Sequence, residues 1–409
     1  MPEAAFVRAG YVVTGRAEVL SEGAVAIDAD GRIARVGADL MPERGCPVYD
    51  FPGAVLVPGF VDCHVHLTLD GRPNWMDIAT QSPAALTVRA IAAAQRTLAG
   101  GVTTARCLGA PHGVEIAVRD AIADGMLVGP RLVCSGRAIC PTGGHGTWMG
   151  HSADGPAQLR AAVRQEIAEG ADLIKVVASG GVLTPGSRIA GPAFTDEELA
   201  ACVDEAHRQG VVVVAHALTE VSVRQAVEAG CDGIEHGDGL DAETAVLMAR
   251  RGVHLGATLT SASDFLASID NHDLPKDAVD KLVATWPRRV EAFRTALANG
   301  VPIVMSTDAG TPFHEHGRNV AEIAAMVDEG LDVLSALRAA TLGGAEALGL
   351  EGQIGTVDVG KQADLVVVNG NLLEDPSILR SPNCIALVIK GGTPYGHPEA
   401  VTRAREVAT

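Results

Sequence analysis

Eight short apolar runs alternate with helical stretches through the middle of this chain, and that alternation limits its fold more than any other feature. The runs are Val55–His66, Val102–Cys107, Arg131–Ser135, Asp172–Ala178, Val211–His216, Gly233–His236, His254–Leu259 and Pro302–Asp308. Each is rich in Val, Ile, Leu or Ala and bounded by Gly, Pro or polar residues, as a strand buried in a parallel sheet should be. Between them, helices are expected over Pro83–Ala99, Val114–Ala123, Ala157–Glu169, Asp196–Gln209, Glu220–Ala229 and Asp241–Arg251. A glycine follows each of these (Gly100, Gly125, Gly170, Gly210, Gly230, Gly252), which fits a left-handed helix end turning into the next strand. Strict β-then-α order over eight strands predicts an α/β fold, a (β/α)8 TIM barrel. A doubly wound open sheet is the competing topology, but no GxGxxG follows the first strand.

The two ends of the chain read differently. Residues 1–54 and 352–409 hold short strand runs and turns: Ala24–Ile27, Ile33–Val36, Asp364–Val368 and Ile385–Ile389. Neither set alone buries enough to stand as a sheet. Both ends are therefore expected to form one small, discontinuous β-sandwich domain, with a barrel of residues 55–351 inserted between them.

Composition removes several function classes. The chain has 409 residues with net charge −18, and aromatic residues make up 3%. An acidic chain poor in stacking rings is a poor nucleic-acid binder, so no nucleic-acid partner is expected. The longest apolar stretches fall far short of the roughly 20 residues that span a bilayer, and the first residues lack a secretory pattern. The eight cysteines lie far apart without a CxxC pair and read as reduced core thiols. A cytoplasmic protein without a membrane partner is the expectation.

The chemistry gathers at the C-terminal ends of the strands, where barrels carry their sites. The first strand ends His64-Val65-His66, and residues two apart on a strand face the same way, so both imidazoles can share one metal. The fourth carries Lys175, the fifth ends at His216, the sixth at His236 and the eighth at Asp308. Four imidazoles, a lysine and a carboxylate on one mouth form an N/O donor set suited to a divalent ion such as zinc. Taken singly, each has an ordinary structural alternative; placed together on five of eight strands, they point to a site.

These residues carry a resemblance. Pro58-Gly59-Phe60-Val61-Asp62-Cys63-His64-Val65-His66 resembles the first-strand signature of the amidohydrolase superfamily, and Lys175, His216, His236 and Asp308 match its later ligand positions in order. Gly360-Lys361-Gln362-Ala363-Asp364-Leu365-Val366-Val367 is similar to that superfamily's return strand. Pro141-Thr142-Gly143-Gly144-His145-Gly146, Ala178-Ser179-Gly180-Gly181-Val182 and His316-Gly317-Arg318-Asn319 resemble the branch of Xaa-Pro dipeptidases and imidazolonepropionase-related hydrolases. The resemblance implies two divalent metal ions, zinc by expectation. His64, His66 and Asp308 would hold one, His216 and His236 the other, and Lys175, carboxylated by CO2, would bridge them. It further implies a metal-dependent hydrolase of amide bonds in a small molecule: an N-acyl amino acid, an Xaa-Pro dipeptide or an aryl amide such as ochratoxin. Alternatives are a cyclic-amide, carbamate or urea hydrolase, and a barrel that serves only as an assembly scaffold.

Asp308 is the candidate proton shuttle. His145, in a Gly-rich loop, is a candidate donor to the developing oxyanion, the alternative being a hydrogen bond that orders the loop. Arg188, His316 and the neighbouring Arg318 are candidates for contact with the substrate. Relatives often place a second His or a Tyr two residues after the fifth-strand ligand; here Leu218 stands there, which hints at an apolar pocket. Trp75, Met76, Trp148, Met149 and Phe313 are candidates for its wall. A homo-oligomer is expected, as for many barrels.

Overall fold

In a computed structural model, residues 3–16, 18–272, 274–395 and 405–406 are described. Contacts divide the chain into two units: Met1–Asp62, Gln95–Thr104 and Gly317–Thr409 form one, Cys63–Ala94 with Ala105–His316 the other. The expected segments 1–54 and 352–409 both fall inside the first.

The first unit is organised by a nine-stranded sheet in which the chain ends meet. Glu3–Val13 pairs in parallel with Pro47–Pro58, and Pro47–Pro58 pairs antiparallel with Leu365–Val368, in the register Val57↔Val366. Ala24–Asp28 and Ile33–Gly37 extend one side, Ile385–Lys390 and Thr393–Tyr395 the other. Strand alternation gives the sheet two apolar faces. Ala5, Val7 and Ala9 join one buried cluster with Val25, Ile27 and Leu365, whereas Phe6 joins another with Ala24, Ala26 and Val48. The two longest strands were not anticipated, because Arg8 and Gly10 in one and Pro52-Gly53 in the other interrupt their apolar runs.

In the second unit, six strands pair in parallel in the order His151–Ser152, Ile139–Cys140, Ile174–Val177, Val213–Ala217, Gly233–His236 and His254–Gly256. A separate three-stranded sheet orders Phe60–Val65, Val102–Cys107 and Arg131–Cys134. Helix starts follow local chemistry. Thr195 accepts from the Glu198 amide while Glu198 accepts from the Thr195 amide, a capping box opening Asp196–Arg208. Gly230 and Gly252 close their helices in the left-handed region, as expected. After Pro83–Ala99 the left-handed residue is Gly101 and not Gly100.

Three expected strands differ. The run Val55–His66 divides: Val55 to Pro58 finish the strand Pro47–Pro58 of the nine-stranded sheet, and a separate strand, Phe60–Val65, begins after Gly59. The run His254–Leu259 is a strand only to Gly256; Thr258 turns left-handed and Leu259 opens the helix Leu259–Ser268. The run Pro302–Asp308 makes no continuous ladder. It is bonded alternately to two neighbours: Leu255 donates to Pro302 O and Val304 to Leu255 O on one side, Cys63 to Met305 O and Asp308 to His64 O on the other. Helices Leu259–Ser268 and Lys276–Ala298, absent from the sequence reading, carry Phe265 and Leu282 into an apolar cluster with Trp75, Ile78 and Leu86. All eight cysteines are buried and free, in line with core thiols. Among the described residues no helix is long and apolar enough to cross a membrane.

Candidate metal centre

His64, on the strand Phe60–Val65, and His66, one residue past its end, project to the same side, as residues two apart on extended chain do. Their Nε2 atoms lie 3.2 Å apart, and each is 3.3 Å from Oδ1 of Asp308. Two ligand atoms at about 2.0 Å from one tetrahedral ion are about 3.3 Å apart. The three atoms therefore form one face of such a site, and these residues are a candidate metal cluster. The outer ring nitrogens are spoken for: His64 Nδ1 lies 2.9 Å from Glu235 Oε2 and His66 Nδ1 3.0 Å from Gly109 O. A proton held on each Nδ1 leaves the Nε2 lone pairs facing Asp308, the usual way a protein presents a ligating histidine.

The imidazoles continue as a chain. His236 stands 5.4 Å from His64 and 4.7 Å from His216, ring centre to ring centre, and His145 stands 4.8 Å from His216. His236 Nδ1 meets the Thr258 hydroxyl at 2.8 Å, whereas His216 uses Nε2 to reach Gly180 O at 3.2 Å. His216 thus has Nδ1 free for a ligand and His236 has Nε2.

Backbone strain brings two of these residues in. Register pairs His216 with Glu235 and Ala217 with His236. Alternation alone would put Glu235 on the face shared by Val214 and His216 and turn His236 away. His236 instead takes φ 67°, which breaks the alternation and returns its ring to His216. Asp308 has φ 59°. Each such conformation costs a non-glycine residue about 1–3 kcal/mol and persists where surrounding structure imposes it, most often at functional sites.

Lys175 lies on Ile174–Val177, 3% exposed, and its Nζ meets no hydrogen-bond partner among the described residues. Burial pulls its amine down to about 8, against the charges of Glu235 and Asp308 that favour the ammonium. Burial also lowers His64 to about 4 and pushes His216 and His236 well down, so these rings are neutral and able to ligate. Burial opposes ionisation of Asp308, but His64 and His66 outweigh it and hold the carboxylate well below its usual range.

Behind the centre stands a group the sequence reading missed. Glu235, fully buried, takes Nη2 of Arg106 at 2.9 Å on the oxygen opposite His64. Arg106 also donates from Nε to Cys63 O at 2.7 Å. Burial would raise Glu235, but His64 and the Arg106 guanidinium outweigh it and keep it near 2, ionised. A second buried carboxylate, Glu115, differs: it accepts from the Leu67 amide at 2.9 Å, and burial pushes it up to about 8.

His145 is ordered by a residue no spacing announces. Its Nδ1 lies 2.8 Å from Oγ1 of Thr184, and the same oxygen receives the Gly146 amide and Trp148 Nε1, each at 3.1 Å. A hydroxyl has one proton. With two donors already aimed at the oxygen, that proton goes to His145 Nδ1. The neutral ring then carries its hydrogen on Nε2; burial lowers His145 to about 4, so the ring is neutral. The ring also lies against Gly181, where any Cβ would fall about 2.4 Å from its Cδ2 and Nε2.

The other candidates are placed variously. Leu218 is buried and lines the cavity over the centre, as do Trp148 and Met149. Trp75, Met76 and Phe313 pack in the neighbouring apolar cluster instead. His316 does not reach the cavity: its Nε2 contacts His66 O at 3.2 Å and Leu69 O at 3.1 Å, bracing the turn after the first ligands. Arg188 is exposed and does not line the cavity. Arg318 is exposed.

The chain resembles proteins of known kind over nearly all its length. The model of the amidohydrolase family matches residues 55–394. Ochratoxinase of Aspergillus niger is 32% identical over 425 residues, covering 95% of this chain and 86% of that protein. The crystal structure of a Xaa-Pro dipeptidase with bound methionine superposes with a TM-score of 0.87 at 31% identity, covering 96% of this chain and 99% of that one. A prolidase complexed with N-methylphosphonate-L-proline gives 0.88 at 31%, covering 96% and 99%. With its His64–His66–Asp308 cluster and this full-length similarity, the chain belongs to the amidohydrolase family.

Proposed function

We propose that this protein is a binuclear metal-dependent hydrolase that cleaves an amide bond of a small molecule at the mouth of an eight-fold β/α barrel. As an amidohydrolase with ochratoxinase and prolidase relatives, it is a hydrolase acting on C–N bonds. The observation that carries the metal-dependent reading is the 3.2–3.3 Å triangle of His64 Nε2, His66 Nε2 and Asp308 Oδ1. The barrel reading is supported by the segment 302–309, bonded to the strand His254–Gly256 on one side and to residues 63–66 on the other.

His64, His66 and Asp308 would hold one divalent ion; His216 through Nδ1 and His236 through Nε2 would hold the second, zinc being favoured by this donor set. Lys175 suits a bridge once carboxylated. Its neutral amine forms an N–C bond to CO2 and releases one proton, so a buried amine with no partner among the described residues becomes an anion with two oxygens. A partly deprotonated amine, near 8, makes that step accessible at neutral pH. When bound, the ions polarise the substrate carbonyl and bring a water's pKa toward neutrality. Asp308, held ionised, takes the proton of the attacking water and returns it to the leaving nitrogen. His145 offers its Nε2 hydrogen to the carbonyl oxygen as charge develops there.

Metal analysis with a substrate panel tests this reading. Purified protein is expected to hold about two divalent ions per chain, to lose activity on chelation, and to regain it with zinc or manganese. The panel holds N-acyl amino acids, Xaa-Pro dipeptides, aryl amides, a cyclic amide, a carbamate and a urea. Protein with no bound metal and no metal-stimulated turnover would be a scaffold. Ring opening alone would favour a cyclic-amide hydrolase.

The role of Thr184 gives a sharper expectation. Thr184→Val removes the hydroxyl that sets the His145 tautomer and should lower kcat about 10-fold with KM nearly unchanged, since the donor is strained toward the transition state and not the ground state. Thr184→Ser should restore most of the loss. Unaltered kcat in the valine variant would mean that His145 does not act through Nε2.

A further inference from the structure

Resting on the amide-hydrolase reading, we infer that the substrate is a neutral, apolar amide, an aryl or alkyl amide without a free carboxylate, and not an N-acyl amino acid or a dipeptide. A cavity opens over the centre, with His64, His66, Lys175, His216, His236 and Asp308 among its lining residues. Its wall away from the centre is apolar, with Val177, Val182, Leu218, Phe265 and Leu282 among its residues. A carboxylate needs a cation or several hydrogen bonds in such a place, and the described lining residues commit theirs elsewhere.

Outside the centre itself, Arg289 is the one Lys or Arg among those lining residues. It is 5% exposed and already balanced: its Nε donates to Asp238 Oδ1 at 2.7 Å, and Nη1 donates to the Thr258 carbonyl and hydroxyl at 3.2 and 3.1 Å. The neutral donors also turn inward. Ser261 Oγ bonds Thr258 O, Thr311 Oγ1 bonds Asp308 O, and Trp148 Nε1 bonds Thr184. His145 keeps one hydrogen, and a single neutral donor does not neutralise an anion. Arg188, a candidate for substrate contact from the sequence, is exposed and absent from the wall. An unpaired carboxylate brought into this wall would lose its water with nothing in return.

A matched pair isolates the carboxylate: N-acetyl-L-phenylalanine and N-acetyl-2-phenylethylamine differ in that group alone. Metal-loaded protein is expected to favour the neutral member by about 100-fold or more in kcat/KM, and calorimetric titration should rank binding in the same order. Leu218→Arg, which places a cation in the wall, should narrow the preference at least about 10-fold. Equal or better turnover or binding of the acid, or rapid cleavage of an Xaa-Pro dipeptide, overturns this inference and leaves the amide-hydrolase reading standing. Failure of the metal-loaded protein to cleave any amide in the wider panel overturns that reading, and this inference with it.

Discussion

Lys175→Ala is expected to reduce kcat/KM on the order of 10³-fold and to lower bound metal from two ions per chain to one or fewer. The residue contributes no hydrogen bond of its own among the described residues, so its value lies in what the amine becomes. Without an anion there, His64, His66, His216 and His236 offer only neutral nitrogens, and Asp308 alone must offset two dications. Short carboxylic acids such as acetate or propionate fit the vacated space and supply the same pair of oxygens, so they should restore part of the activity in a concentration-dependent way. The metal-free variant should melt no lower than metal-free wild type, because burying a polar group without a partner is itself unfavourable. Wild-type turnover and metal content in the alanine variant would eliminate the bridge.

Glu235→Ala should have the largest effect on stability, about 3–5 kcal/mol. The substitution strands the Arg106 guanidinium, which is fully buried, with no carboxylate to balance it. The same change releases His64 Nδ1 from its 2.9 Å contact. That ring can then adopt the tautomer with its proton toward Asp308, and affinity for metal at His64 and His66 should fall about 10–100-fold. Glu235→Gln keeps the shape and should lie between the two proteins on both measures. Chemical unfolding of the metal-free forms, followed by metal titration, separates the two effects. A stability loss under about 1 kcal/mol in the alanine variant would show that Arg106 finds another partner and that the pair is not central.

The metal-binding candidates were legible because a strand repeats every two residues and a helix ends where its local chemistry says so. His64 and His66 declare their shared face by spacing alone, and Thr195 and Glu198 mark a helix start within four residues. His236 was found for a different reason: it stands at a strand end, although the pleat would have turned it away had its φ not become positive. The strand-end rule that singles out His236 passes over its neighbour. Glu235, in the same short run, is the residue that alternation aims inward, toward a histidine 171 positions earlier.

The substrate side was less legible. Arg188 and His316 are chemically apt for recognising a carboxylate, yet the first is exposed and the second braces backbone carbonyls. The residues that do shape the cavity include Phe265 and Leu282, on two helices whose apolar positions were not picked out as helical.

Local order, the order of strands and the kinds of side chain at their ends are set by interactions within a few residues, and the amino-acid sequence by itself determined them. Partnerships across long stretches of chain were decided by the tertiary structure alone: Arg106 with Glu235, 129 positions apart, and Thr184 with His145, 39 apart. Burial explains the division. Only when the strands and helices come together is water removed from Lys175, Glu235 and His145, and only then do their charge, tautomer and partners take the values that chemistry at this site requires.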